Sequence, residues 1–207
     1  MAGQLPTSPA FAGITIKNNQ PNITTISTSG RRQVKSQQTQ FWSFNAAYPA
    51  MKRSDWAPIA AFIAKQRGST ESFTVVLPEY SYTQGNLTTQ TVSTVNNETA
   101  GATQIEVTSS ALTQTDSLKA GDFIRFKHAS DPNQGYNKVY MVTDDVDFAS
   151  GQATINIEPG LTSDVAAGYL VQYNGVEFTV FLPNDVQEFN TGLGNMVEYE
   201  LEMREAL

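Results

Sequence analysis

Apolar and polar residues alternate in short runs along most of this chain, and a period of two predicts strands. The clearest run is MVEYELEMR. There Val197, Tyr199, Leu201 and Met203 alternate with Glu198, Glu200, Glu202 and Arg204, the pattern of a half-buried strand. From Gly85 onward TTQTVSTV, TQIEVTS, DFIRFKH, KVYMVTDDV, ATINIEP and YLVQYNG alternate or run apolar, with Gly, Asn, Asp or Pro between them. Short strands at close spacing predict a small barrel or sandwich. Nearer the start, NITTISTSG suits a strand and turn, whereas residues 1–20, rich in Pro, Gly and Asn, read as an extended arm or irregular lead-in. The polar stretch RRQVKSQQTQFWSFN reads as one long strand with one face solvated or turned to a neighbouring subunit.

One segment breaks the strand rhythm. SDWAPIAAFIAKQRG, residues 54–68, places Trp56, Ile59, Ala60 and Ile63 at i, i+3, i+4 and i+7, which predicts a helix with one apolar stripe. Ser54 or Asp55 can cap its first turn, and Pro58 is tolerable near the start. Lys65 and Arg67 suit the last turn, and Gly68 ends it. The stripe is expected to pack on the chain's own sheet rather than on a membrane or partner, because the helix is short and Ala-rich.

Two near-identical runs, FTVVLP at residues 73–78 and FTVFLP at 178–183, read as apolar strands halted by proline. Their flanks share nothing: STES and NGVE precede them, EYSYTQ and NDVQEF follow. They are therefore read as the two ends of an insertion rather than as a duplication. The chain leaves a first domain after Pro78 and returns at about Pro183, giving segments 1–82, 83–182 and 183–207.

Charge follows the same division. Of the formal charge of −7, residues 1–82 carry eight basic against three acidic residues, 83–182 four against eleven, and 183–207 one against six. The two outer segments cancel, as they would if they fold together. An acidic chain is poorly suited to general nucleic-acid binding, where a basic surface supplies most of the affinity. With 40% hydrophobic residues among 207 the chain can bury a core, and without Cys it has no disulfide, thiolate catalysis or Cys-built zinc site. No apolar run is long enough to span a bilayer, so no membrane insertion is expected. The start, MAGQLPTSPAFAG, lacks the basic and apolar regions of a secretory signal, so synthesis and retention in a cytoplasm, or release by lysis, is expected.

Candidate chemistry is sparse. His128 is the only imidazole and reads as a surface residue, and no cofactor or metal is expected. Asp144, Asp145 and Asp147 could share a cation, but they lack the glycine and closing glutamate of a calcium loop and read as a solvated turn. Sequons at Asn22, Asn86 and Asn97 matter only in a secretory pathway. No nucleophile elbow, P-loop or dinucleotide fingerprint is present. A structural or binding role is expected instead of an enzyme.

Read as one unit, FWSFNAAYPAMKRSDWAPIAAFIAKQRGSTESFTVVLP resembles the N-terminal part of distal tail proteins and related minor tail proteins of tailed bacteriophages. The features are an aromatic strand end (Trp42, Phe44), a YPxM turn (Tyr48, Pro49, Met51), the helix, its Gln66-Arg67-Gly68 end and the FTxxLP strand. LKAGDFIRF, KVYMVTDDV, TINIEPGL and FTVFLPNDVQEF echo the same group, so the resemblance covers most of residues 30–207.

That resemblance implies a mainly β fold: a tail-tube-like β-sandwich or barrel with one flanking α-helix, plus an inserted small β-barrel or sandwich domain. It implies a virion structural protein of the tail or baseplate, made in the host cytoplasm. The subunit would sit in a homo-hexameric ring that joins the tail tube protein to hub and tip proteins, while DNA passes through the lumen without specific binding. It would put Arg31, Arg32, Val34, Lys35, Phe41, Trp42 and Phe44 at the ring interface. Glu198, Glu200 and Glu202 would face the lumen or pair with Arg31, Arg32 or Lys35. Two alternatives stay open: another tail-tube or adaptor ring protein, and a host-surface carbohydrate or receptor binder in which Tyr136, Tyr140 and Tyr173 stack on sugars.

Overall fold

The computed structural model describes residues 3–36, 39–110, 112–128, 137–192, 194 and 196–207. The chain is mainly β with one α-helix, and it divides into two compact units: residues 1–75 with 179–207, and residues 76–178. The division falls inside the two FTV runs, in strands of residues Phe73–Val76 and Glu177–Phe181.

The first unit begins with strand β1 (Gly13–Asn19), then β2 (Asn22–Ile26) and β3 (Arg32–Ser36), which pair only with each other as a two-stranded hairpin. Strand β4 (Phe41–Lys52) runs directly into helix α1 (Arg53–Lys65), and β5 (Phe73–Val76) follows. The return of the chain supplies β14 (Glu177–Phe181), β15 (Asn190–Thr191) and β16 (Met196–Glu205). The sheet order is β1-β4-β16-β14-β5, with β15 pairing β16 at one end. Residues 3–5 extend it, since Leu5 N donates to Thr74 O at 2.8 Å and Thr74 N to Gly3 O at 3.0 Å.

Three expectations change here. The lead-in is no free arm: residues 13–19 lie antiparallel to β4, with Ile16 opposite Phe44. A strand fills its hydrogen bonds through its neighbour whatever its composition, so Pro, Gly and Asn around it did not prevent pairing. The long polar strand is two strands in different sheets, and Gln37 and Gln38 between them lie outside the described residues. The YPxM residues form no turn but the last part of β4, where a bulge sets Tyr48 to Met51 against Tyr199 to Val197; Pro49 and Ala50 stand exposed and Tyr48 and Met51 both reach the core.

Alternation decides the core of this unit. Trp42, Phe44, Ala46 and Tyr48 of β4 and Val197, Tyr199, Leu201 and Met203 of β16 point inward from paired strands, and all are buried. The helix covers that face with Trp56, Ile59 and Ile63, while Ala60 is half-buried at the stripe's margin. Trp56 sits 4.6 Å from the ring of Tyr199, 5.2 Å from Phe189 and 6.3 Å from Tyr48. Neither Ser54 nor Asp55 caps the helix. Its boundary residue is Lys52, still extended as the end of β4, and Ser54 Oγ instead donates to Asp55 Oδ1 at 3.1 Å. At the other end Gly68 has φ +67°, and a Cβ there would lie 2.6 Å from Asp185 Oδ1, so only glycine fits.

The second unit holds β6 (Ser93–Thr94), β7 (Gln104–Thr108), β8 (Gln114–Leu118), β9 (Phe123–Lys127), β10 (Tyr140–Val142), β11 (Val146–Phe148), β12 (Gln152–Glu158) and β13 (Leu170–Gln172). Strands β10-β12-β7-β6-β13-β9 close into a barrel, and β8 pairs β11 separately. Ile105, Val107, Ile124, Phe126, Val142 and Ile155 fill its core. Asp122 fastens the start of the unit: buried, it accepts Gln84 N and Lys119 N at 2.9 Å each and the Thr83 hydroxyl.

Candidate functional site

On the outer face of β16 the side chains that alternate away from the core line a groove of about 740 Å³. Its floor is Glu198, Glu200 and Glu202 with Asn45 of β4, and its wall is the segment 183–190, which brings Asp185 and Glu188. The wall is held in place by hydrogen bonds: Asn184 Nδ2 donates to Glu202 Oε2 at 2.8 Å, Gln187 Nε2 to Asn184 O at 2.7 Å, and Tyr199 Oη to Gln187 Oε1. Asp185 is committed to the turn after the helix. It accepts Ser69 N at 2.9 Å and Ser69 Oγ at 2.8 Å, and those donors hold its carboxyl below the usual value. The carboxylates of Glu188, Glu198 and Glu200 accept no hydrogen bond or ion pair among the described residues. Two apolar residues stand by this acidic wall, Val186 at 76% and Phe189 at 47% exposure.

The opposite electrostatic feature of the same unit is the β2–β3 hairpin. Every described side chain on it is exposed, and it carries Arg31, Arg32 and Lys35 with no acidic residue. Ser27 closes its turn: Ser27 N donates to Arg31 O at 3.0 Å, and Arg31 N to Ser27 Oγ at 3.2 Å. Ile23, Ile26 and Val34 are 50–69% exposed.

The residues expected at a ring interface therefore separate. Arg31, Arg32, Val34 and Lys35 are on the exposed hairpin. Trp42 and Phe44 are buried in the unit's own core, because β4 lies between β1 and β16 and turns its even-numbered side chains inward. Phe41 is half-buried under the guanidinium of Arg204, 3.8 Å from its ring centroid. Glu198, Glu200 and Glu202 form no ion pair with Arg31, Arg32 or Lys35; ion pairs among the described residues include Lys119 with Asp116 and Asp145, and Arg125 and Lys127 with Glu177. The groove wall went unread in the sequence, although an acidic run carrying Val186 and Phe189 just after FTVFLP was a signal for it.

The sugar-stacking tyrosines lose their place. Tyr140 and Tyr173 are core residues, with Tyr140 Oη 3.2 Å from Thr162 Oγ1 and the Tyr173 hydroxyl donating to Gln90 O; Tyr136 lies outside the described residues. Closure of the barrel turns them inward, where their hydroxyls find partners as buried phenols require. The aspartate run is absorbed by turns: Asp145 takes Lys119 Nζ and Ala120 N, Asp147 takes Asp116 N, and Asp144 takes Asn156 Nδ2. Lys119 lowers the Asp145 pKa, with Ala120 N adding to it. His128 lies edge-on to Tyr169, its ring 5.2 Å away. Among the described residues no group of three His, Cys, Asp or Glu side chains could hold a metal ion, and no helix is long and apolar enough to cross a membrane.

A helix-flanked antiparallel sheet, which takes β1, β4 and β5 from the first 80 residues, defines a mainly β class of domain. Residues 4–80 match the family described as distal tail protein pb9, A domain, N-terminal. The resemblance to distal tail proteins is thereby borne out over that segment, which begins well before residue 20 and so takes in the lead-in that the sequence left unplaced. No curated protein matches the chain.

Proposed function

We propose that this chain is the subunit of a ring, hexameric in the assembled particle, at the distal end of a phage tail, where it joins the tail tube to the hub and tip proteins. The observation that carries this reading is the match of residues 4–80 to a distal tail protein domain. The same unit leaves a two-stranded hairpin uncovered. An isolated hairpin is marginal in water and gains stability by packing on a further element, which a neighbouring subunit supplies. The net charge of −7 suits a lumen through which DNA slides without sticking, since like charge keeps phosphates off the wall. Residues 76–178, which leave the first unit and return to it, are proposed as a domain inserted into the ring-forming one.

The test is the virion. Electron microscopy of tails labelled with an antibody to this chain should place label at the distal tip, and averaged views down the tail axis should show sixfold density there. Label at the head-proximal end, or a different symmetry at the tip, overturns the assignment.

A further inference from the structure

We infer that the β2–β3 hairpin of one copy docks in the acidic groove of the next copy, so that hairpin and groove are the two halves of one subunit contact. The inference rests on the ring reading above and names the surfaces that would make it. Both halves lie in one unit of the chain and are complementary in two independent ways, and Arg31, Arg32 and Lys35 on the one and Glu188, Glu198 and Glu200 on the other form no ion pair among the described residues.

The first complementarity is charge. The hairpin offers Arg32, with Arg31 beside it at the turn, while Lys35, opposite Ile23, is on the other face; the groove offers Glu188, Glu198, Glu200 and Glu202. The second is apolar. In the hairpin register Ile26 is opposite Arg32, and Val34 opposite Thr24, so Ile26, Val34 and Arg32 share one face. Beside the groove wall Val186 stands exposed, and Phe189, though packed on Trp56 and Tyr199, keeps about half its surface in solvent, so an apolar centre can be enclosed while the charges meet around it. Each hairpin strand spans five residues, roughly 17 Å at ~3.4 Å per residue, a length suited to lying along the outer face of a ten-residue β16. Because the donor and acceptor surfaces differ, the contact is heterologous, and repeating it generates a closed ring when the rotation closes.

The chain has no Cys, so introduced thiols report without background. V34C and V186C are made singly in the full-length chain, mixed at high concentration and oxidised. The mixture should yield a disulfide-linked dimer, each single variant alone should not, and the V34C/V186C double variant should give a ladder of higher species. Dimers from V34C alone would mean hairpin meets hairpin and would overturn the proposal. Self-association by sedimentation without the mixed cross-link would overturn it too, and would leave the ring reading standing. Absence of self-association by sedimentation, together with absence from the tail tip, would overturn both. As a second arm, R31E/R32E should weaken self-association roughly tenfold or more at low salt, and E198K/E200K should restore it in that background. An R31E/R32E chain that associates as strongly as wild type sinks the hairpin's role.

Discussion

Asp122→Ala should unfasten the barrel unit at its entry. The carboxylate is 2% exposed and accepts Gln84 N and Lys119 N at 2.9 Å each, with the Thr83 hydroxyl as a third donor. Truncation leaves all three without their acceptor and removes a charge-assisted set of bonds, each of which is ordinarily worth ~1.5–3 kcal/mol. Gln84 is exposed and Thr83 and Lys119 are half-buried, so water relieves part of the loss. Taking about 1 kcal/mol per donor gives a destabilisation of about 3 kcal/mol. For a unit of roughly a hundred residues, ~4 °C per kcal/mol converts this to a fall of about 12 °C in its melting temperature.

The assay can tell the units apart. Both tryptophans, Trp42 and Trp56, lie in the first unit, so their fluorescence follows that unit, while far-UV circular dichroism follows both. The dichroism transition of the Asp122→Ala chain should acquire a component about 12 °C lower. Asp122→Asn, which keeps one acceptor oxygen, should fall between variant and wild type. A shift below about 2 °C for Asp122→Ala would refute the claim that these bonds hold the entry of the unit.

Trp56→Ala removes the side chain packed against Tyr199, Phe189 and Tyr48 and should cost about 3–5 kcal/mol, read as a lowered urea midpoint; a loss below about 1 kcal/mol would refute the helix as the cover of that sheet face. Tyr48→Phe should be neutral or stabilising by up to about 1 kcal/mol, because the buried Tyr48 hydroxyl finds no hydrogen-bond partner among the described residues and burial, with Tyr199 beside it, pushes its pKa up; a clear destabilisation would reveal a hidden partner. For Asp185 the folded pKa is depressed below its ordinary 3.8 by the Ser69 donors, so its contribution is present above that value and lost as pH falls through the folded one. The first unit should therefore weaken on acidification below about pH 4, and Asp185→Asn should flatten that dependence in a melting series; an unchanged acid profile would refute it.

Much of this was legible because strand and helix periods are local. The alternation from Val197 to Met203 and the stripe Trp56, Ile59, Ile63 each point at the face the structure buries. What failed was non-local. RRQVKSQQTQFWSFN holds no Gly or Pro, so nothing in it marks where one strand leaves a hairpin and another enters a sheet. Tyr140 and Tyr173 alternate no differently from surface tyrosines, and only barrel closure turns them inward. Strand β8, QTDSL, is too polar to announce itself and exists because β11 pairs with it. The groove needs residues 183–190 folded against β16, a juxtaposition set by the Asn184–Glu202 and Gln187–Tyr199 hydrogen bonds and by no spacing.

The placement of the charges separates holding a fold together from reaching a neighbour. In the barrel unit the cations Lys119, Arg125 and Lys127 are each spent on a carboxylate of the same unit, and Arg125 is buried while doing so, which lowers its pKa against the pull of Glu177. Breaking such a buried pair leaves an uncompensated charge, so that arrangement serves the fold. In the first unit Arg31, Arg32 and Lys35 on one element and Glu188, Glu198 and Glu200 on another form no ion pair among the described residues. Exposed charges of this kind add little to the stability of a single chain. Their value rises when a second surface excludes water from them, and opposite signs on two separate faces of one subunit direct which face meets which.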